Sequence, residues 1–261
     1  MSDLPTLWQI DVSHYSEKAR WALAHKGVEH RRRAPVVGAH IPIAMALTRG
    51  EHKTFPILRL DGRTIGDSTA IIAALEQRHP DPPLYPADTD QRRRALELEE
   101  FFDEELGPHT RLLAFHEIGK DRDTFVKLME ETAPGPLRKA PGMTVVYAQA
   151  YTRMRFGVAD PAAAQRAREK IVAALDRLES ELGDDEYLVG DAFTVADLTA
   201  ASLFNPIVLP AQGPVPSVVQ PAPGIQEFRA PLEDRPGYKW VEEMFRRHRH
   251  QAPKATAATS S

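Results

Sequence analysis

An α/β domain followed by an all-helical domain is the fold class the sequence predicts, on three observations. Short apolar runs suited to strands (Leu7 to Ile10, Val36–Val37, Phe55 to Leu60) alternate with helix-spaced segments early in the chain. Residues 79–90, HPDPPLYPADTD, then hold four prolines and three aspartates, the composition of a linker. Beyond them nearly every periodic segment has helix spacing. These observations predict an α/β domain at 1–80, a linker at 81–90, a helical domain at 91–250 and a disordered tail at 251–261.

In the first domain Leu7-Trp8-Gln9-Ile10 forms a strand, Asp11 to Tyr15 turns, and a helix runs from about Ser16 to Lys26 until Gly27 ends it. Glu29 to Val37 makes a second strand containing Arg31-Arg32-Arg33, and a helix follows around Ile41 to Leu47. Thr54 to Leu60 is a strand, Asp61-Gly62 a two-residue hairpin turn, and Thr64-Ile65 the returning strand. Gly66-Asp67-Ser68 then caps a helix with Ile71, Ile72 and Leu75 on one face. The order is β-α-β-α-β-β-α.

The second domain opens with a helix from Asp90 to about Leu106, which Gly107-Pro108 interrupts. Asp160-Pro161 supplies a cap and a first-turn proline, and Ile171, Leu175, Leu178 and Leu182 form the apolar stripe of the helix they start. Phe193-Thr194-Val195-Ala196-Asp197-Leu198 reads as a capping box with a hydrophobic staple, leading into a buried helix from Leu198 to Phe204. Residues 206–236 hold eight prolines and read as a long wrapped loop before a last helix from Lys239 to His250.

Composition narrows the chemistry. With 261 residues, 42% of them hydrophobic and 27% charged, the chain is globular in type. No apolar run reaches the ~18 residues of a membrane helix, and the N-terminus lacks the layout of a secretory signal, so a soluble, cytoplasmic protein is expected. The absence of cysteine removes disulfides, thiolate metal sites and a cysteine nucleophile; any thiol chemistry must arrive with a ligand. Net charge is −4, with 22 cationic against 28 acidic residues after Tyr85, which argues against nucleic acid or an anionic membrane as partner.

Ser13-His14-Tyr15-Ser16 places hydroxyl groups where a helix begins, and free N–H groups and the helix dipole there favour an anion, a thiolate in particular. A plain N-cap at Ser13 or Ser16 is the alternative. Phe55-Pro56 opens a strand after a polar loop, which either leaves a backbone edge free for an extended peptide or is an ordinary edge-strand proline. Asp67-Ser68 offers a second helix start, able to take a carboxylate or simply to cap.

Taken together, SHYSEKARWAL, TFPILRLDG, IGDSTAIIAALE, the linker and the FTVAD box resemble the cytosolic glutathione S-transferase superfamily over most of the chain. The resemblance implies a thioredoxin-like N-terminal domain, an all-helical C-terminal domain, and glutathione as co-substrate with no metal. It implies that Ser13 hydrogen-bonds the glutathione sulfur, with Tyr15 and Ser16 as reserve hydroxyls. Serine here looks like the classes that activate glutathione for attack on an electrophile, whereas cysteine would mark the thiol-transferase and lyase branches. Phe55 would pair with the cysteinyl backbone, with Pro56 cis. Asp67 and Ser68 would hold the γ-glutamyl end, and His52 or Lys53 the glycyl carboxylate. The electrophile would lie against Phe102, Arg111, Phe115 or His116, with Phe101 and Leu106 as further candidates. A detoxifying transferase acting as a homodimer on a small electrophile is thus expected; the alternative is a non-catalytic binding or scaffolding protein on the same fold.

Several features depart from the family pattern. His14 stands where many relatives carry proline, His40 has no assigned role, and the stretches 132–158 and 206–236 exceed a minimal family member. Gly66-Asp67-Ser68 is also an esterase-like block, but those enzymes use an asparagine in the oxyanion site. Asn205, followed by Pro206, is the only asparagine in the chain. The acidic run Glu97, Glu99, Glu100, Asp103, Glu104 and Glu105 is expected to be a solvated helix face and not part of a carboxylate metal bundle.

Overall fold

The computed structural model describes residues 4–35, 39–132 and 160–249. Val36–Val37, most of the 132–158 stretch and the tail lie outside the described residues. The first part follows the expected order: β1 (Thr6–Trp8), α1 (His14–His25), β2 (Arg31–Arg33), α2 (His40–Leu47), β3 (Ile57–Leu60), β4 (Arg63–Gly66) and α3 (Ser68–Arg78). The sheet order is β2-β1-β3-β4, with β1 parallel to β2 and antiparallel to β3, and β3 antiparallel to β4. Leu7 on the central strand faces Arg32 on one side and Leu58 on the other. Strand β2 is shorter than the predicted Glu29 to Val37, and its three arginines are exposed, which blunts an otherwise open edge.

The helical part comprises α4 (Thr89–Glu105), α5 (Gly107–Lys120), α6 (Arg122–Thr132), α7 (Pro161–Leu182), α8 (Val195–Val208), α9 (Pro223–Arg229), a 3₁₀ turn (Ala230–Leu232) and α10 (Pro236–His248). Asp160 caps α7 by accepting from Ala162 N at 2.9 Å, and Ile171, Leu175, Leu178 and Leu182 are all buried. The capping box at Thr194 and Asp197 is present. Asp197 also accepts from Leu188 N at 2.8 Å. Burial pushes its carboxyl up to about 6 against these hydrogen bonds.

The wrapped loop expected at 206–236 needs correction: α8 continues to Val208 through Pro206, and α9 and the 3₁₀ turn occupy much of the rest. Pro223 and Pro236 begin helices instead of breaking them, because a first-turn N–H has no intrahelical acceptor to lose.

One continuous core joins both parts, running from Leu7, Leu58 and the inner faces of α1 and α3 into α4, α5, α7, α8 and α10. Helix α8 is its axis, buried at every position except Pro206 and packed on α1, α4, α5 and α10. Full burial of a leucine or phenylalanine contributes about 1.5–3 kcal/mol, so this shared core fixes the N-terminal part on the helices. The end of α10 is pinned as well. Trp21 Nε1 donates to the His248 carbonyl at 3.1 Å, and the buried Glu17 carboxylate is held between Arg20 and Arg249. Burial alone would raise the Glu17 carboxyl, but the two guanidinium groups outweigh it and hold it below the usual range.

Candidate functional site

A cavity of about 770 Å³ opens where the starts of α1, β3 and α3 face α4, α5, α6 and the segment after α8. Its chemistry is built at helix starts. Ser13 is the N-cap of α1: its backbone is extended, its N–H donates to the Ile10 carbonyl at 3.0 Å, and its Oγ accepts from Ser16 N at 3.3 Å. Among the described residues the Ser13 hydroxyl proton has no acceptor, and the N–H groups of His14 and Tyr15 are unpaired. Three donors therefore gather at the positive end of α1, on the cavity wall.

The neighbours of Ser13 are committed elsewhere. Tyr15 donates its hydroxyl to the Asp103 carbonyl at 2.8 Å, and burial pushes the phenol above its ordinary range, so it stays protonated. Ser16 is fully buried, accepts from Ile10 N at 3.2 Å, and is not part of the wall. His14, buried at the first position of α1, bonds through Nε2 to the Gly107 carbonyl at 2.9 Å. Burial, reinforced by the Arg111 guanidinium, lowers its pKa to about 3 against that hydrogen bond. The ring is therefore neutral at pH 7, with the proton on the nitrogen that donates to the carbonyl. Tyr15 also explains Gly107: a β-carbon there would stand 2.2 Å from the Tyr15 oxygen.

Phe55-Pro56 is a cis peptide. Neither the N–H nor the carbonyl of Phe55 pairs with another backbone group among the described residues, so an extended ligand finds a free edge beside β3. Asp67 takes a positive φ of 73° and caps α3, accepting from Thr69 N at 2.9 Å and Ala70 N at 3.2 Å. Ser68 follows as a buried wall residue. His52 also lines the cavity, and its ring lies so close to β4 that a β-carbon on Gly66 would meet Cδ2 at 2.3 Å.

The wall thus brings together Ser13, Tyr15, His52, Phe55, Pro56, Asp67 and Ser68 with Arg111 and Phe115 of α5. It leaves out Ser16, Lys53, Phe102 and His116. Lys53 is exposed. Phe102 and Leu106 are wholly buried in the shared core, Phe102 edge-on to Phe204, because they lie on the face of α4 that packs against α8. His116 is buried with its Nε2 3.8 Å from the Glu117 carboxylate, and Phe101 lies beneath the Arg177 guanidinium.

Sequence reasoning missed other wall residues. The acidic run is not simply a solvated face. Glu99 is buried and Asp103 mostly so, with Lys18 Nζ 2.9 Å from Glu99 and 2.5 Å from Asp103 while it donates to Thr69 Oγ1 at 2.9 Å. Glu99, Glu100, Asp103 and Glu104 line the cavity near Asp67 and make that end acidic. His40 joins the wall beside Phe55, their ring centres 5.9 Å apart. Ile118, Leu128 and Met129 of α5 and α6, and Leu209, Val219 and Ile225 beyond α8, give the other end an apolar lining. For Ile118, Leu128, Met129 and Ile225 helix spacing was the only signal of this role, and Leu209 and Val219, outside the helices, carried none. No group of three potential metal ligands occurs among the described residues, and no helix among them is long and apolar enough to cross a membrane.

A family model for the N-terminal domain of glutathione S-transferase matches residues 7–83, and one for its C-terminal domain matches residues 161–230. A probable maleylacetoacetate isomerase 1 of Drosophila melanogaster is 30% identical over 122 residues, covering 45% of this chain and 50% of that protein. The chain therefore spans about half the length of that curated relative. A glutathione S-transferase from Rhodospirillum rubrum superposes with a TM-score of 0.58 at 22% identity, covering 91% of each chain. Another, from Methylobacillus flagellatus and solved with glutathione bound, gives 0.52 at 20% identity, covering 91% of this chain and 98% of that one. The likeness to these two structures is one of fold. With the sheet part and the helical part matched by the two successive domains of one family, the chain belongs to the cytosolic glutathione S-transferase superfamily.

Proposed function

We propose that this protein is a serine-type glutathione transferase that binds glutathione along the Phe55 edge and turns its thiol into a nucleophile for attack on a small electrophile. The observation that carries this reading is the uncommitted hydroxyl of Ser13 at the start of α1, beside the unpaired N–H groups of His14 and Tyr15. The demand is modest: lowering a thiol pKa from about 8.5–9 by two takes ~2.7 kcal/mol. A hydrogen bond to a charged acceptor contributes about 1.5–3 kcal/mol and the helix end about 0.3–1 kcal/mol. Arg111, whose charge depresses both His14 and Tyr15, adds positive potential of the right sign.

In this reading the peptide backbone of the cysteinyl residue pairs with Phe55. The γ-glutamyl group lies at Asp67 and Ser68, where the acidic flank of α4 suits its ammonium, and His52 approaches the glycyl carboxylate. The apolar end of the cavity receives the electrophile next to Arg111 and Phe115. The thiol loses its proton to solvent, the thiolate sulfur forms the C–S bond as the leaving group departs with its bonding electron pair, and Ser13 keeps its own proton throughout. The role assigned is detoxification of electrophiles in the cytoplasm, by a homodimer that sedimentation equilibrium would detect.

The test is a glutathione titration followed by turnover of chlorodinitrobenzene. Glutathione at 100 times its Kd should stabilise the fold by ~2.7 kcal/mol. Stabilisation without turnover of any electrophile in a broad panel would leave a binding or scaffolding protein. Absence of both stabilisation and turnover would refute the glutathione reading.

A further inference from the structure

We infer that Asn205 is the specificity-determining group of the electrophile subsite, and that the subsite takes an electrophile bearing a carboxamide. Asn205 lies on α8 in the cavity wall, only 1% exposed, and among the described residues neither Oδ1 nor Nδ2 has a hydrogen-bond partner. An unpaired buried amide is costly and persists in few native positions. Ser202 and Thr199, one and two turns earlier on the helix, are also buried with hydroxyls unpaired among the described residues but do not reach the wall. Of the three, only Asn205 belongs to the cavity wall, which Leu209, its N–H donating to the Asn205 carbonyl at 2.9 Å, also lines.

The surrounding chain keeps the amide free. Pro206, next in the helix, has no N–H to offer. Gly213 passes so close that a β-carbon there would stand 2.5 Å from Asn205 Oδ1; as glycine it presents only a C–H to that oxygen, and its own N–H donates to the Pro210 carbonyl at 2.8 Å. A ligand that satisfies both atoms must present an acceptor and a donor on one edge. A carboxamide does so. A carboxylate would use Nδ2 and set a negative charge against Oδ1, and a ketone or halide would leave at least one atom unpaired.

The inference rests on the electrophile reading above, and its test separates the two. The probes are a chlorodinitrobenzene with a carboxamide para to chlorine and the matched ring with trifluoromethyl in its place. In both, the thiolate forms the C–S bond and chloride leaves with the C–Cl electron pair. Asn205→Leu, nearly isosteric and unable to hydrogen-bond, should lower kcat/KM for the carboxamide ring at least tenfold relative to the trifluoromethyl ring, with an unchanged or higher Tm. Equal loss on both rings, or a Tm lower by several degrees, would assign Asn205 a structural role and overturn the inference. Calorimetric binding of the chlorine-free dinitrobenzamide, without thiol, provides the second arm. Tenfold tighter binding to the wild type than to Asn205→Leu upholds the subsite even if glutathione fails to bind, in which case the transferase reading alone falls. Equal affinities, or no binding to either protein, overturn the subsite.

Discussion

Replacing Ser13 with alanine deletes one oxygen and tests the proposed mechanism directly. Ser13 Oγ accepts from Ser16 N at 3.3 Å in the structure, and the proposed mechanism gives its proton to the glutathione sulfur. Loss of the cap costs about 0.5–2 kcal/mol of stability. Loss of the donated hydrogen bond removes about 1.5–3 kcal/mol from the thiolate, which raises the pKa of bound thiol by about one to two. The thiolate population well below that pKa falls roughly 10- to 100-fold, and kcat/KM follows it. The deficit closes as pH rises, because the thiol then ionises unaided. Glutathione affinity, which the proposed binding mode places on Phe55, Asp67 and Ser68, should change little. The assay is a pH profile of kcat/KM with chlorodinitrobenzene, paired with ultraviolet titration of the bound thiolate. An unchanged thiol pKa in the alanine variant, or an equal loss of rate at every pH, would refute the assignment of Ser13.

His14 titrates near 3 in the folded protein and near 6.5 when unfolded, so the unfolded chain binds the extra proton in between. Its contribution is therefore present above pH 6.5 and lost as pH falls towards 3, with a slope of up to ~1.4 kcal/mol per pH unit; His14→Gln should flatten urea-unfolding stability over that window. Glu17→Gln leaves Arg20 and Arg249 without their buried carboxylate and should cost about 3–5 kcal/mol, which calorimetry would read as a fall in Tm of about 6–20 °C. Gly66→Ala forces the His52 ring away and, if His52 holds the glycyl carboxylate, weakens glutathione binding about 5- to 100-fold in a calorimetric titration. An unaltered Kd would remove His52 from the site.

What could be read in the sequence was mostly local. Ser13, Asp160 and Thr194 announce helix starts because a cap acts on N–H groups two or three residues away, and all three cap as expected. The stripe on α7 was equally legible, since its positions repeat within one helix. Long-range partnerships were not. The burial of Glu99 depends on Lys18, and the position of Asp103 depends on the same lysine 85 residues away. No periodicity in α4 encodes either. Phe102 and Phe115 looked equivalent as aromatics on predicted helices, yet α8 covers the first and the cavity takes the second. Pro223 and Pro236 misled for a different reason: proline is compatible with both a loop and a first helical turn, and only packing chooses between them.

The long-range contacts bear directly on the serine. Three side chains of α1 are tied to the α4–α5 junction: His14 to the Gly107 carbonyl, Tyr15 to the Asp103 carbonyl, and Lys18 to the Asp103 carboxylate. Each lies within five residues of Ser13, and the Ser13 N–H is itself bonded to Ile10. The start of the helix is thereby fixed from the helical domain before any ligand arrives, and the donors need no reorganisation to meet a negative sulfur. A histidine in place of the turn proline of many relatives is then no weakness. Proline would stiffen the turn through its own φ, whereas His14 holds it through a bond to the other domain and, being neutral, adds no charge of its own at the serine. The domain interface and the proposed thiolate site are one structural unit, so substitutions at Gly107 or Asp103 should disturb the chemistry as well as the fold.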